Sequence, residues 1–190
     1  MAVAILFLTV PYVWTDWADG GNEERVPMGA QGTAPGLGPA PNVDLSSMTP
    51  REAADRLFNR VMGALGDGDE AEVASFLPMA IDAYQLVPNL EADGQFHLSL
   101  LQHASGDYAG ALETSEAALE TQPNHLLNRY AAGEAARELG NDELAAEHFE
   151  HLLEIFDEES AQVLPEYREH STFLPTIRQT AEEFLATNRP

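Results

Sequence analysis

The feature that most constrains this chain is a recurrence. Offsetting the sequence by thirty-four residues superposes Ser99 on Gly133, Gly106 on Gly140, Ala111 on Ala145, Ser115 on Phe149 and Ala118 on Leu152. In helical sequence a period of that size means stacked helix pairs, since one pair cannot bury its apolar face alone. The residue types fit that architecture. Small residues at Ser99 and Gly133 let a second helix approach the first. Gly106 and Gly140 suit a left-handed turn between the two helices. Ala111 and Ala145 mark close crossings, Phe149 fills the space between layers, and Pro123 closes its helix.

Outside this core the pattern loosens but stays helical, with no period-two strand. Thr49-Pro50-Arg51-Glu52 reads as a helix start, with Thr49 as cap, Pro50 in the first turn and Glu52 closing the capping box. Leu57, Phe58, Val61, Met62 and Leu65 then give one apolar face at helical spacing. "LGDGDEAEVASFLPMAIDAYQLVP" reads as a degenerate pair whose second helix is interrupted at Pro78. "SAQVLPEYREHSTFLPTIRQTAEEFLATN" ends in an amphipathic helix carrying Ile177, Ala181, Phe184 and Leu185. Arg178, Gln179, Glu182 and Glu183 form its polar face, as the terminal cap of a stack requires.

Residues 106–124, "GDYAGALETSEAALETQPN", and 127–157, "LNRYAAGEAARELGNDELAAEHFEHLLEIFD", resemble the tetratricopeptide repeat family. The resemblance is strong over residues 92–157, with degenerate repeats on either side. It implies an all-α solenoid of helix-turn-helix pairs spanning 49–190. It also implies a concave groove lined by the first helix of each pair, where peptides dock. The groove positions are then Phe96, His97, Leu100 and His103 from one repeat, and Leu127, Tyr130, Glu134, Arg137 and Glu138 from the next. Members of the family that clamp a carboxylate terminus use several Lys, Asn and Arg side chains there. This chain offers Arg137 alone, beside two glutamates, so that role is not expected. An aromatic and histidine groove suits an apolar or mixed peptide better. The same aromatics also read as packing residues under a neighbouring helix or the linker.

The N-terminal 17 residues, "MAVAILFLTVPYVWTDW", carry no charge before Asp16. As a helix they reach about 25 Å, just short of a hydrocarbon core of about 30 Å. Tyr12, Trp14 and Trp17 fall where an interfacial aromatic belt lies. The segment reads as a membrane anchor, with a cleaved signal or a partner-bound segment as alternatives. Residues 18–48, rich in Gly, Pro and Ala, read as an extended linker that is flexible or bound to a partner.

Charge sets the company the chain can keep. It has 32 acidic residues against 9 basic ones, a formal net charge of -23, and every basic residue is arginine. Such a chain repels phosphate backbones, so no nucleic-acid partner is expected, and basic protein surfaces are favoured. The absence of cysteine removes disulfides, thiol catalysis and thiolate metal sites. No nucleophile–base constellation or phosphate loop occurs, so neither catalytic residues nor a cofactor is expected. His148 and His151 stand three apart in a glutamate-rich helix, but the zinc-protease spacing H-E-x-x-H is absent and the repeat register puts them on the solvated outer face. Asp67-Gly68-Asp69-Glu70 lacks the full ligand spacing of a calcium loop, and Asp69 reads instead as a helix cap for Glu72.

The functional expectation is a non-enzymatic interaction scaffold. Its leading form is an accessory subunit of a larger membrane complex, anchored by residues 1–17 in a bacterial inner membrane with the repeat domain on the periplasmic side. The alternatives are a soluble exported adaptor that binds peptides transiently in its groove, and a metal-binding protein built on His148 and His151.

Overall fold

The computed structural model describes residues 48–188, and these are all-α. The segment 1–17 with Tyr12, Trp14 and Trp17, and the linker up to residue 47, lie outside the described residues. Among the described residues no helix is long and apolar enough to cross a membrane. Eight helices follow in order: α1 Pro50–Asp67, α2 Glu70–Gln85, α3 Ala92–Ala104, α4 Tyr108–Thr121, α5 Leu126–Glu138, α6 Asp142–Ser160, α7 Pro165–Glu169 and α8 Leu174–Asn188. They pack in sequential pairs, α1 on α2, α3 on α4 and α5 on α6. Further contacts join α4 to α5 and α6 to α8.

One turn is used three times. After α3, Gly106 has φ +82°, the Asp107 N–H donates to the Gln102 carbonyl at 2.9 Å, and the Asp107 side chain caps Gly110 N at 3.0 Å. After α5, Gly140 has φ +73°, Asn141 N–H donates to Ala136 at 2.9 Å, and the Asn141 side chain caps Leu144 N at 3.2 Å. After α1, Gly68 and Asp69 repeat the arrangement, with Asp69 N–H on Ala64 at 2.9 Å and its side chain on Glu72 N at 3.0 Å. A residue with a Cβ is strained in this left-handed conformation, and the next residue must supply a side-chain acceptor for the new helix. Hence Gly-Asp, Gly-Asp and Gly-Asn. At the head of α1 the box is complete: Thr49 Oγ1 accepts from Glu52 N while Glu52 accepts from Thr49 N at 2.8 Å.

The equivalent crossings are solved with opposite volumes. Between α3 and α4, Ser99 Oγ donates to the Ala111 carbonyl at 2.9 Å and Ser115 Oγ donates to Ser99 Oγ at 2.8 Å, both side chains buried. Between α5 and α6 the small partner is Gly133 and the large one Phe149. A Cβ at Gly133 would stand 2.6 Å from the Phe149 ring. Ala111 and Ala145 are both fully buried. Ala111→Trp or Ala145→Trp is therefore expected to overpack the crossing and cost about 1–3 kcal/mol or more. Glu113→Ala on the exposed face of α4 should change stability by less than about 0.5 kcal/mol. Thermal melts that failed to separate the two kinds of change would refute the register.

Of two expectations about single elements, one fails and one holds. Pro78 does not interrupt its helix: α2 runs through it to Gln85. The carbonyl that loses its helical donor is that of Ala74, and Ala74 and Pro78 are both exposed, so water can satisfy it. The final element holds as read, with Leu174, Ile177, Ala181, Phe184 and Leu185 buried on one face of α8. The short α7 before it makes the difference to the site.

Candidate functional site

α7 and the turn after it cross the face formed by the first helices of the pairs. Tyr167 accepts the N–H of Leu126 at 3.1 Å. Phe173 packs on Tyr130 of α5 (5.3 Å between centroids, edge-on) and on Phe96 of α3 (6.4 Å). His170 meets Phe96 edge-on at 5.4 Å. Of the nine groove residues, Phe96, His97, Leu100, Leu127, Tyr130 and Glu134 are buried. This corrects their expected exposure. The packing reading of the aromatics holds, and the chain's own segment from Pro165 to Phe173 provides the cover for Phe96 and Tyr130. His103 and Arg137 are half-buried, and Glu138 is exposed.

Glu134 is the unexpected member of that set. Its Oε2 accepts from Arg137 at 2.9 Å, but Oε1 is buried with no hydrogen-bond partner. Burial outweighs the neighbouring guanidinium and pushes its carboxyl up to about 7.

At the other end of the segment lies a polar cluster. Asp93 and His97 stand four apart on α3, so their side chains share one helix face. His170, from the turn after α7, is brought against both. His97 Nε2 lies 3.2 Å from His170 Nε2, Asp93 Oδ1 lies 3.3 Å from His170 Nε2, and His97 Nε2 lies 3.8 Å from Asp93 Oδ1. Both histidines are buried. Behind His97, the hydroxyl of buried Tyr84 lies 2.9 Å from its Nδ1 and donates to Asp55 Oδ1. With that proton committed to Asp55, the hydroxyl oxygen accepts from His97 Nδ1–H. The tautomer this fixes turns the Nε2 lone pair toward His170 and Asp93. Phe58 stacks flat on the His97 ring at 4.1 Å and closes its other side.

Arg51 organises the acidic rim. It donates to Asp55 at 2.8 Å, to Asp93 Oδ2 at 2.6 Å and to Glu91 at 3.2 Å. Burial opposes ionisation of Asp93, yet hydrogen bonding from His170 and from Arg51 holds its carboxyl well below the usual carboxylate range. Asp55 is held down in the same way, against its own burial, by His97, Tyr84 and Arg51. Burial, with Asp55 as hydrogen-bond acceptor, pushes the Tyr84 hydroxyl far up. A cleft of about 410 Å³ opens beside the cluster, lined by α1, the head of α3 and α7.

His148 and His151 do not form the solvated pair expected of them. His148 is buried, with Nδ1 3.3 Å from Arg129 Nη1 and Nε2 without a hydrogen bond 3.9 Å from Glu116 Oε1, while His151 is half-buried near Asn124. Among the described residues the side chains whose ligand atoms converge as a metal site requires are Asp93, His97 and His170. The sequence carried half of that signal, the Asp-x-x-x-His spacing of α3. Its third member lies 73 residues from His97, where no local pattern points to it. No protein-family model matches the chain, and no curated protein matches it in sequence.

Proposed function

We propose that this chain is a non-enzymatic helical-repeat scaffold of the tetratricopeptide kind. In this reading it is an accessory subunit of a membrane complex, anchored by residues 1–17 with the repeat domain on the periplasmic side. The observation that carries the proposal is the threefold use of one glycine-plus-cap turn between helices that pack in sequential pairs. A repeat stack offers extended surface rather than an enclosed reaction chamber.

Occupancy of the inner face favours a fixed subunit over a transient peptide receptor. An incoming peptide would have to displace Tyr167 and Phe173 from α5 and α3. The surface left for a permanent partner is the outer one, where Glu113, Glu116 and Glu120 of α4 and Glu143, Glu147 and Glu150 of α6 are exposed. That face calls for a partner rich in Arg or Lys.

Native-gel separation of gently solubilised source membranes, with mass spectrometry of the band holding this chain, tests the proposal. Co-migration with a constant set of membrane proteins is expected. Migration as a free monomer would overturn it, and shifting minor partners would favour the exported adaptor instead.

A further inference from the structure

The scaffold reading makes no use of Asp93, His97 and His170, and their geometry points elsewhere. Their three ligand atoms form a triangle with sides of 3.2, 3.3 and 3.8 Å. A point about 2.0 Å from each vertex lies in the plane of such a triangle, within the range of about 2.0–2.2 Å for zinc bound to imidazole nitrogen and carboxylate oxygen. Adjacent ligands of a tetrahedral ion at that bond length stand about 3.3 Å apart, close to the two shorter sides.

The surroundings fit the same chemistry. His97 has its remote nitrogen fixed by Tyr84, which is itself held by Asp55. A ligating imidazole needs such an outer partner to set its tautomer and aim its lone pair. Asp93 keeps Oδ1 for the site because Arg51 occupies Oδ2. The adjoining cleft carries five carboxylates, Asp55, Glu91, Asp93, Glu166 and Glu169, against the single guanidinium of Arg51. Its field draws a cation inward.

We propose that Asp93, His97 and His170 bind one first-row divalent transition-metal ion of the zinc class, and that the ion pins the segment containing α7 to α3. Two nitrogen donors and one carboxylate, with no thiolate, select such an ion over Mg²⁺ and Ca²⁺, which prefer all-oxygen shells. Three protein ligands leave at least one position for water. Because His170 comes from the segment that covers Phe96 and Tyr130, binding closes that cover, and metal removal loosens it.

The test uses the untagged full chain after chelator treatment. Zn²⁺ is titrated by calorimetry, and Co²⁺ by its visible absorption, with Mg²⁺ and Ca²⁺ in parallel. One Zn²⁺ or Co²⁺ per chain is expected, with no comparable uptake of Mg²⁺ or Ca²⁺. Affinity should fall at least tenfold in His170→Gln and in Asp93→Asn, each checked for native helicity by circular dichroism, and should be unchanged in His151→Gln. Zn²⁺ should also slow proteolytic cleavage within residues 161–173. No stoichiometric uptake by the unsubstituted chain at micromolar free Zn²⁺ overturns the site without recourse to any variant. Undiminished affinity in the folded His170 and Asp93 variants overturns the ligand assignment, and binding without protection of the segment overturns the clamp.

Discussion

Phe58→Ala is expected to lower the unfolding free energy by about 3–5 kcal/mol, at the upper end of what a single truncation does. Phe58 is 1% exposed, lies flat on His97 at 4.1 Å and meets Tyr84 edge-on at 6.3 Å. The cost of such a cavity depends on whether its walls can close in. Here they are tethered. His97 is held by Tyr84, and Tyr84 by Asp55, which Arg51 ties in turn to its own helix. Relaxation toward the void would break hydrogen bonds in a buried network, so the void should persist. Asn59→Ala, on the exposed side of the same turn, should shift stability by no more than about 0.5 kcal/mol. Urea denaturation at constant m-value measures both. A loss below about 1 kcal/mol for Phe58→Ala would mean that the Phe58 ring does not pack on His97 and Tyr84 as described.

What the sequence reveals and what it hides divide along the range of the interactions. The capping box at Thr49, the glycine-plus-cap turns and the small crossing residues are local devices, each written within a few residues. All are found where expected. Pro78 shows the limit of a local rule: proline removes a donor, but the consequence depends on whether the orphaned carbonyl meets water. The groove shows a larger limit. Phe96 and Tyr130 have the right spacing for either a docking surface or a core, and only the path of residues 165–173 decides between them. Glu134 falls in the groove only by the repeat resemblance, and nothing local to it marks it as buried. It sits buried with one oxygen paired to Arg137, and burial raises its carboxyl to about 7. Asp93 and His97 were visible as an i,i+4 pair, but His170 is 77 residues from Asp93 and acquires meaning only through the fold.

Acidification is expected to destabilise the chain through its buried histidines, chiefly His125 and His148, with burial lowering His103 as well. His125 caps α5 by accepting the Asn128 N–H on Nδ1 at 3.2 Å, which requires that nitrogen to be unprotonated. Its Nε2 is buried without a hydrogen-bond partner. Burial pushes this imidazole down to about 4, and burial with the Arg129 charge beside it does the same to His148. Both fold as the neutral form, whereas the unfolded chain protonates them near the ordinary value of 6.5. Their stabilising contribution is therefore complete above pH 6.5 and is lost as the pH falls toward 4. Each is on the order of 3 kcal/mol from the size of the shift. Glu134 works in the opposite sense. Its carboxyl at about 7 lies above the unfolded value of 4.5, so the fold gains stability as the pH drops from 7 to 4.5, by a comparable amount. The histidine losses outweigh the single carboxyl gain and leave the unsubstituted protein weaker at pH 4.5 than at pH 7.5. His125→Asn retains a cap acceptor without the titration, and combined with His148→Gln it should remove most of the decline. Glu134→Gln alone should steepen the decline. Unfolding free energies from urea melts at the two pH values test this directly. Relief of repulsion among the surface carboxylates is common to all the variants, so the difference between their slopes isolates the buried groups. Equal slopes in the unsubstituted chain and the double-histidine variant would show that these imidazoles titrate as they do in water.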